Sequence, residues 1–381
     1  MTPRLVYQVN LQQAFGGGEV YTRFFTLALI ELGYRVVLFV NRKADFWELL
    51  LPAGVDLVRV DGAADVLPQL QQEKSLIVTQ TALDADAAQW VAERHLLCGF
   101  VHMPLYDRDP GGLKRYHHLW AVSQHVLDSV RARGHGHVFA EPMYGVADPR
   151  RGAAAGALFA RSEYDWDRRK LRDRLLGLTE PWWRVHQSKT AFEKRAGLTL
   201  GIVSRLTPIK QFPLMFGTLA PVIAGFPEIN LEIFGSGGYA SLRDLRTSLA
   251  PMATQARFWG HQPDVAAVYP QLDYVLSGLP EKEALGLNLI EAQYCGTPVL
   301  AVHAPPFTET VIEGESGFMF DDPRQDAGAS FAQLLRRLQS GAARPDPRRA
   351  ARHLERFSFA AFCTRVARAL ASAEAAHPAQ T

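Results

Sequence analysis

The feature that most limits the fold of this chain is a rhythm that occurs twice. A short apolar run is followed by a glycine-containing turn, an amphipathic stretch and a second apolar run. Leu5 to Val9 is apolar and β-prone, and Gly16-Gly17-Gly18 breaks the chain. A helix is predicted next, with Tyr21, Phe25, Ala28, Leu29 and Leu32 on one face. These positions fit the i, i+3/i+4, i+7 template. Gly33 is predicted to end it, and Arg35 to Val40 reads as a buried strand. After residue 195 the rhythm returns, with strands predicted over 199–204, 231–234, 256–259, 273–277 and 297–302. Continuous apolar runs alternating with helices build parallel sheets covered on both faces. The expected fold class is α/β, with two Rossmann-like, doubly wound domains.

Length and composition agree with that expectation. A chain of 381 residues has room for two domains. With 48% apolar and 21% charged residues, disorder, collagen and coiled coil are excluded. The predicted division is a first domain over 1–149, an insertion over 150–195, a second domain over 196–356, and a terminal helix over 357–381.

Charge is unevenly spread. The total of +2, from 41 basic and 39 acidic residues, argues against a nucleic-acid partner. Residues 150–195 hold twelve Lys/Arg and six Asp/Glu, which leaves 29 basic against 33 acidic residues elsewhere. This segment also contains Trp166, Trp182 and Trp183. It reads as a helical insertion. Such a segment suits either a solvated hairpin or an attachment that meets an anionic membrane surface or a polyprenyl-diphosphate-type acceptor. Cys98, Cys295 and Cys363 form no CxxC pair, so a reducing cytoplasm is expected. Asn10, Gln12 and Gln13 interrupt any N-terminal apolar run, and no stretch has the 18 or more apolar residues of a spanning helix. The expected location is the cytoplasm, at most peripheral on the inner face of the membrane.

The most informative motif lies in the second half. Glu283 and Glu291 bracket Ala284-Leu285-Gly286-Leu287-Asn288-Leu289-Ile290, and Cys295-Gly296-Thr297-Pro298-Val299 follows. Gly286 is predicted to open a helix, whose N-terminus offers unpaired N–H groups to an anion. One carboxylate stands before that terminus and the other within the helix, so the two can hold hydroxyls on either side of a bound phosphate. Two surface glutamates on an ordinary helix are the plain alternative. A second motif, Ser204-Arg205-Leu206-Thr207-Pro208-Ile209-Lys210, follows a predicted strand. Its Arg and Lys can converge on a diphosphate.

The first of these motifs, E-A-L-G-L-N-L-I-E-A-Q-Y-C-G-T-P-V, resembles the E-x7-E signature of retaining glycosyltransferases of the GT-B fold, especially the family 4 group. Relatives usually read E-G-F-G-L-x-x-x-E-A-x-x-x-G-x-P-V. Here Ala284 and Leu285 replace Gly and Phe, which leaves the sugar's identity open. The Arg205 to Lys210 run resembles the family's G-R-L-x-x-x-K-G, and Phe15-Gly16-Gly17-Gly18-Glu19 resembles its G-G-x-E loop. Gly235 sits in a G-x-G after a strand, and Gly260 in the f-x-G step that meets the nucleobase. His102 ends the run Leu96 to Val101, where relatives place a histidine toward the donor sugar. Thr79-Gln80-Thr81 departs from the histidine often found there. Weaker matches are Trp120 to Ser123, Gly145 to Asp148, and Phe357-Ser358-Phe359.

The resemblance implies two domains facing a cleft, with the terminal helix crossing back to the first. It implies a hexosyltransferase-type activity on a UDP- or GDP-sugar, with no cofactor and no metal ligands. Arg205, Lys210 and the helix terminus at Gly286 and Leu287 would stabilise the leaving diphosphate. Glu291 would bind ribose and Glu283 the sugar, and Gly17 and Gly18 would contact phosphate or sugar on domain closure. Gly235 and Gly260 would lie on the nucleotide, and His102 on the sugar. A glycan, a lipid-linked or another hydroxyl is the expected acceptor. Two other readings stay open: a sugar-nucleotide epimerase of the same shape, and a non-catalytic nucleotide-sugar-binding partner subunit. A metal-dependent transferase would need a D-x-D; Asp84/Asp86, Asp107/Asp109 and Asp165/Asp167 read better as helix starts or loops.

Overall fold

A computed structural model describes residues 4–71, 73–106, 108, 112–147, 157–166, 171–183 and 190–376. The chain divides into two compact units, residues 1–146 with 355–381, and residues 147–354. The first unit holds β1 (Leu5–Asn10), β2 (Arg35–Asn41), β3 (Asp56–Val60), β4 (Leu76–Thr79), β5 (Leu96–Val101) and β6 (His118–Ala121). They form one parallel sheet in the order β3-β2-β1-β4-β5-β6. Its central strands are buried along their length, as a sheet with covered faces requires. Phe100 stands between Phe25 and Trp120, at ring distances of 4.9 and 5.1 Å, and joins helix to sheet.

The first helix spans Gly17–Glu31, and Gly33 at φ 81° follows its end. Gly17 and Gly18, expected in the preceding loop, are its first helical residues. First-turn N–H groups have no intrahelical acceptor, so glycine's weak helix propensity costs little there. The terminal helix Phe359–Ala376 belongs to this unit, as expected. Phe362 packs edge-on to Tyr21 at 5.4 Å, and Arg4 hydrogen-bonds Glu374.

The second unit repeats the plan with β7 (Leu198–Val203), β8 (Ile229–Phe234), β9 (Ala256–Gly260), β10 (Tyr274–Leu276), β11 (Val299–Val302) and β12 (Gly317–Phe320). The order is β12-β11-β10-β7-β8-β9, again parallel. Its core joins Leu200, Ile202, Ile233 and Leu300 from the sheet to Phe212, Phe216 and Phe331 from the helices. The 150–195 segment falls within this unit. Residues 157–166 run extended; Phe159 pairs with Ala191 and Tyr164 with Gly237. A helix spans Leu171–Trp183. Seven of the segment's twelve basic residues (Arg150, Arg151, Arg168, Arg169, Lys170, Arg184 and Lys189) lie outside the described residues, as do Asp107, Asp109, Asp148 and Asp167.

Candidate active site

In a doubly wound sheet, ligands bind outside the carboxyl ends of the strands. The second unit places its motif residues there on adjacent strands. Ser204 and Arg205 leave β7, and a tight turn over Pro208–Lys210 leads into the helix Phe212–Ala224. Glu283 lies in the loop after β10, the strand paired with β7. Lys210 Nζ donates to the Glu283 carboxylate, linking the two loops. Glu283 Oε1 also accepts from the N–H groups of Ala284 and Gly286, both at 3.2 Å. Burial opposes the charge on Glu283, but Lys210 and these backbone donors outweigh it and hold the carboxyl below its usual range.

Gly286, at φ 81°, is the N-cap of the helix Leu287–Tyr294. Glu283 satisfies N–H groups just ahead of the helix, while the first-turn donors of Leu287 and Asn288 face the same end. Glu291 stands one turn further in. It accepts from the Tyr269 hydroxyl at 3.0 Å. Burial raises its carboxyl to about 7, against the lowering pull of the Tyr269 bond and of Lys210. Lys210 thus favours the charged form of both glutamates. Arg205 is exposed on the same loop as Lys210, after β7.

Gly235 and Gly260 have a structural reason to be glycine. Gly235 N donates to Gly260 O at 2.9 Å, and a Cβ on Gly235 would stand 1.9 Å from Ser204 O. Gly260, at φ 69°, would place a Cβ 2.3 Å from Arg161 O. The loops after β7, β8 and β9 are therefore packed backbone to backbone, with the 157–166 segment against the last. On β8, beside β9, Glu232 is fully buried and accepts from Arg195, Arg257 and Trp259 Nε1, which fixes the strand that ends at Gly260. A cavity of about 630 Å³ opens on these loops, lined by Phe159, Arg161, Ser162, Tyr164, Ser236 and His261.

The first unit carries its candidates on its own sheet edge. His102 follows β5, with its ring 5.0 Å from Tyr21, and its Nε2 lies 2.8 Å from Gln80 Oε1. Burial pushes the imidazole down to about 4, so it is neutral at physiological pH. In the sequence Gln80 stands out only as a departure from relatives; the structure makes it the partner of His102. Gly17 and Gly18 leave open space where side chains would stand. Beneath them Asn10 Nδ2 donates to Thr22 Oγ1 at 2.9 Å and lies 3.5 Å from Glu19 Oε1; of the three, Glu19 alone belongs to a sequence motif. Among the described residues, no three His, Cys, Asp or Glu side chains group as metal ligands. Asp84 caps the helix Ala85–Ala92, accepting from Ala87 N.

Residues 187–353 match the family of glycosyl transferases group 1. Every motif residue of the second sheet edge falls inside that stretch. The D-inositol 3-phosphate glycosyltransferase of Rhodococcus opacus is 33% identical over 171 residues, 41% of this chain and 37% of that protein. The GtfA subunit of a UDP-N-acetylglucosamine–peptide N-acetylglucosaminyltransferase from Streptococcus agalactiae is 27% identical over 38% of this chain and 29% of its own length. The chain spans less than half the length of these curated relatives. Among solved structures, Anabaena HepE in complex with UDP and glucose superposes with a TM-score of 0.67 at 17% identity, covering 96% of this chain and 99% of that one. A Rickettsia africae glycosyltransferase gives 0.70 at 14% identity over the whole of both chains. At such identity the likeness establishes the fold, the two Rossmann-like domains of GT-B. The group 1 match lies wholly within the second unit, which supplies the second Rossmann-like domain of that fold.

Proposed function

We propose that the protein is a retaining glycosyltransferase of the family 4 kind. It would move a sugar from a UDP- or GDP-sugar to a hydroxyl of a glycan or lipid-linked acceptor, in the cytoplasm and without a metal. The observation that carries this reading is the convergence of Lys210, Glu283 and Glu291 at the helix opened by Gly286, within the group 1 stretch. The complexes of UDP with Anabaena HepE support a nucleotide-sugar donor.

The diphosphate would lie at Lys210, Arg205 and the first turn at Leu287, where positive charge is in place before negative charge builds on the leaving group. The ribose would face Glu291 and the base the cavity beyond Gly235 and Gly260. Occupying the phosphate position draws Lys210 from Glu283 and frees that carboxylate for sugar hydroxyls, a positioning role. The C1–O bond to the diphosphate breaks, the acceptor oxygen bonds to C1 on the same face, and its proton passes to the departing diphosphate. No protein nucleophile takes part. His102, a neutral imidazole, would serve the sugar by hydrogen bonding, and Gly17 and Gly18 the donor's phosphate or sugar.

A thermal-shift screen of nucleotides and nucleotide sugars, followed by a product assay with and without EDTA, tests the reading. A stabilising donor, an EDTA-insensitive product and retained anomeric configuration are expected. Inversion would overturn the mechanism, and recovery of EDTA-abolished activity by Mn²⁺ would overturn metal independence. Donor binding without transfer or hydrolysis would leave a non-catalytic partner subunit.

A further inference from the structure

The helix Leu171–Trp183 is amphipathic with its faces reversed. Its packed face carries polar and small residues. Asp173 is buried, Glu180 accepts from Ser162 Oγ and Trp166 Nε1, and Gly177 lies against the Trp166 ring. Its outward face carries Leu171, Leu175, Leu178 and Trp182, which are 63%, 56%, 68% and 85% exposed. At 3.6 residues per turn these four fall within an arc of about 60°. Arg172 and Arg174 flank the arc on either side, and both are exposed. In sequence, Arg168, Arg169 and Lys170 precede the helix and Arg184 follows it. A helix that buries its carboxylates and exposes its leucines has an outward face suited to an apolar surrounding rather than to water.

We propose that this face docks the protein on an anionic lipid bilayer, with Leu171, Leu175, Leu178 and Trp182 in the headgroup boundary and the arginines on lipid phosphates. Leucine and tryptophan on one side with basic flanks is the pattern of a helix lying in the interface. Charge complementarity selects this occupant. A second copy would bring two arginine-flanked stripes together, and four side chains fall short of the roughly 800 Å² per partner that a stable dimer buries. The carboxylates that would repel an anionic surface, Asp173 and Glu180, are turned inward and paired. The surface belongs to the second unit alone and does not depend on the proposed transfer reaction.

Flotation of the full chain with phosphatidylcholine vesicles, and with vesicles that also contain phosphatidylglycerol, tests the proposal. Binding to the anionic vesicles alone is expected, weakening as salt rises. Leu175→Gln/Leu178→Gln/Trp182→Gln should lower partitioning about tenfold or more. Arg174→Glu should lower it about fivefold or more, at about fivefold for each basic residue near an anionic surface. Both variants alter outward positions, and a cooperative melt at the wild-type Tm confirms that they fold. Flotation with neither vesicle, equal flotation with both, or undiminished binding by the apolar triple variant would each overturn the proposal. A dimer seen by light scattering and lost in the triple variant would assign the face to a second copy instead.

Discussion

Counted from its own first strand, each unit orders its sheet 3-2-1-4-5-6, yet the two carboxyl edges carry different chemistry. The first edge is furnished with amides, hydroxyls and an imidazole held neutral: Asn10, Thr22, Gln80 and His102, with the Glu19 carboxylate beside Asn10. The second presents Lys210, Glu283 and Glu291 around an open helix terminus, with Arg205 exposed on the loop that carries Lys210. The glycine-rich turn after β1 contains no cation, whereas the turn after β7 supplies two. One scaffold therefore gives two kinds of edge, and the loop residues decide which of them carries charge. The first edge is suited to neutral hydroxyl chemistry and the second to charge.

The largest effect should come from breaking the charged edge. Lys210→Ala removes the counter-charge of both the proposed leaving group and Glu283. Turnover should fall about 10²- to 10³-fold, the range for losing one preorganised electrostatic group. Because Glu283 is left without its cation, stability should also fall, by about 3 kcal/mol. The double variant Lys210→Ala/Glu283→Gln separates these effects. It leaves no uncompensated carboxylate, so Tm should recover while turnover stays low. Turnover that recovers with Tm would reduce the pair to a structural ion bridge.

A smaller effect, with a definite sign in pH, belongs to Glu291. Its carboxyl is raised from the usual value to about 7 in the folded chain, chiefly by burial. The folded state keeps a proton that the unfolded state has released, so this group's contribution to stability is lost as pH rises from about 4.5 to about 7. Glu291→Gln has no proton to lose. The Tm difference, variant minus wild type, should therefore grow between about pH 5 and pH 8. In the proposed donor complex ionised Glu291 would accept from ribose hydroxyls, so wild-type affinity for a nucleotide sugar should rise through pH 7. In Glu291→Gln that rise should flatten and affinity at pH 8 should drop about tenfold, by loss of a charge-assisted bond. Calorimetric titration across this range, with a donor free of a terminal phosphate, reads the effect directly.

Much of this contrast is legible in the sequence. Predicted strands at 199–204 and 256–259 match β7 and β9 within a residue, because continuous apolar runs need a buried sheet. β4 and β12 have no comparable signal: four-residue runs such as Leu76–Thr79 and Gly317–Phe320 carry no period that separates strand from core helix. The charged residues of the second edge stand out as a motif, but their partnerships do not. Lys210 and Glu283 are 73 positions apart, and Tyr269 lies 22 positions before Glu291. Such contacts are made by sheet order, which local spacing does not encode. The same holds for the helix Leu171–Trp183. Its periodicity reveals two faces, but only the packing of Glu180 and Gly177 shows that the apolar face points outward.

The smallest effect should come from the uncharged edge. His102 is pushed down to about 4 by burial, so from about pH 5.5 upward it remains neutral and contributes no titration of its own. His102→Asn keeps a neutral side chain of donor and acceptor groups opposite Gln80. It should cost only several-fold in turnover, about the worth of one neutral hydrogen bond. The pH–rate profile between pH 5.5 and 8 should keep its wild-type shape. A charged, proton-transferring His102 would behave otherwise: removing it would erase a limb of the profile. Loss of a limb in the Asn variant would therefore show that the first edge also works through charge, and the contrast between the two sheets would no longer hold.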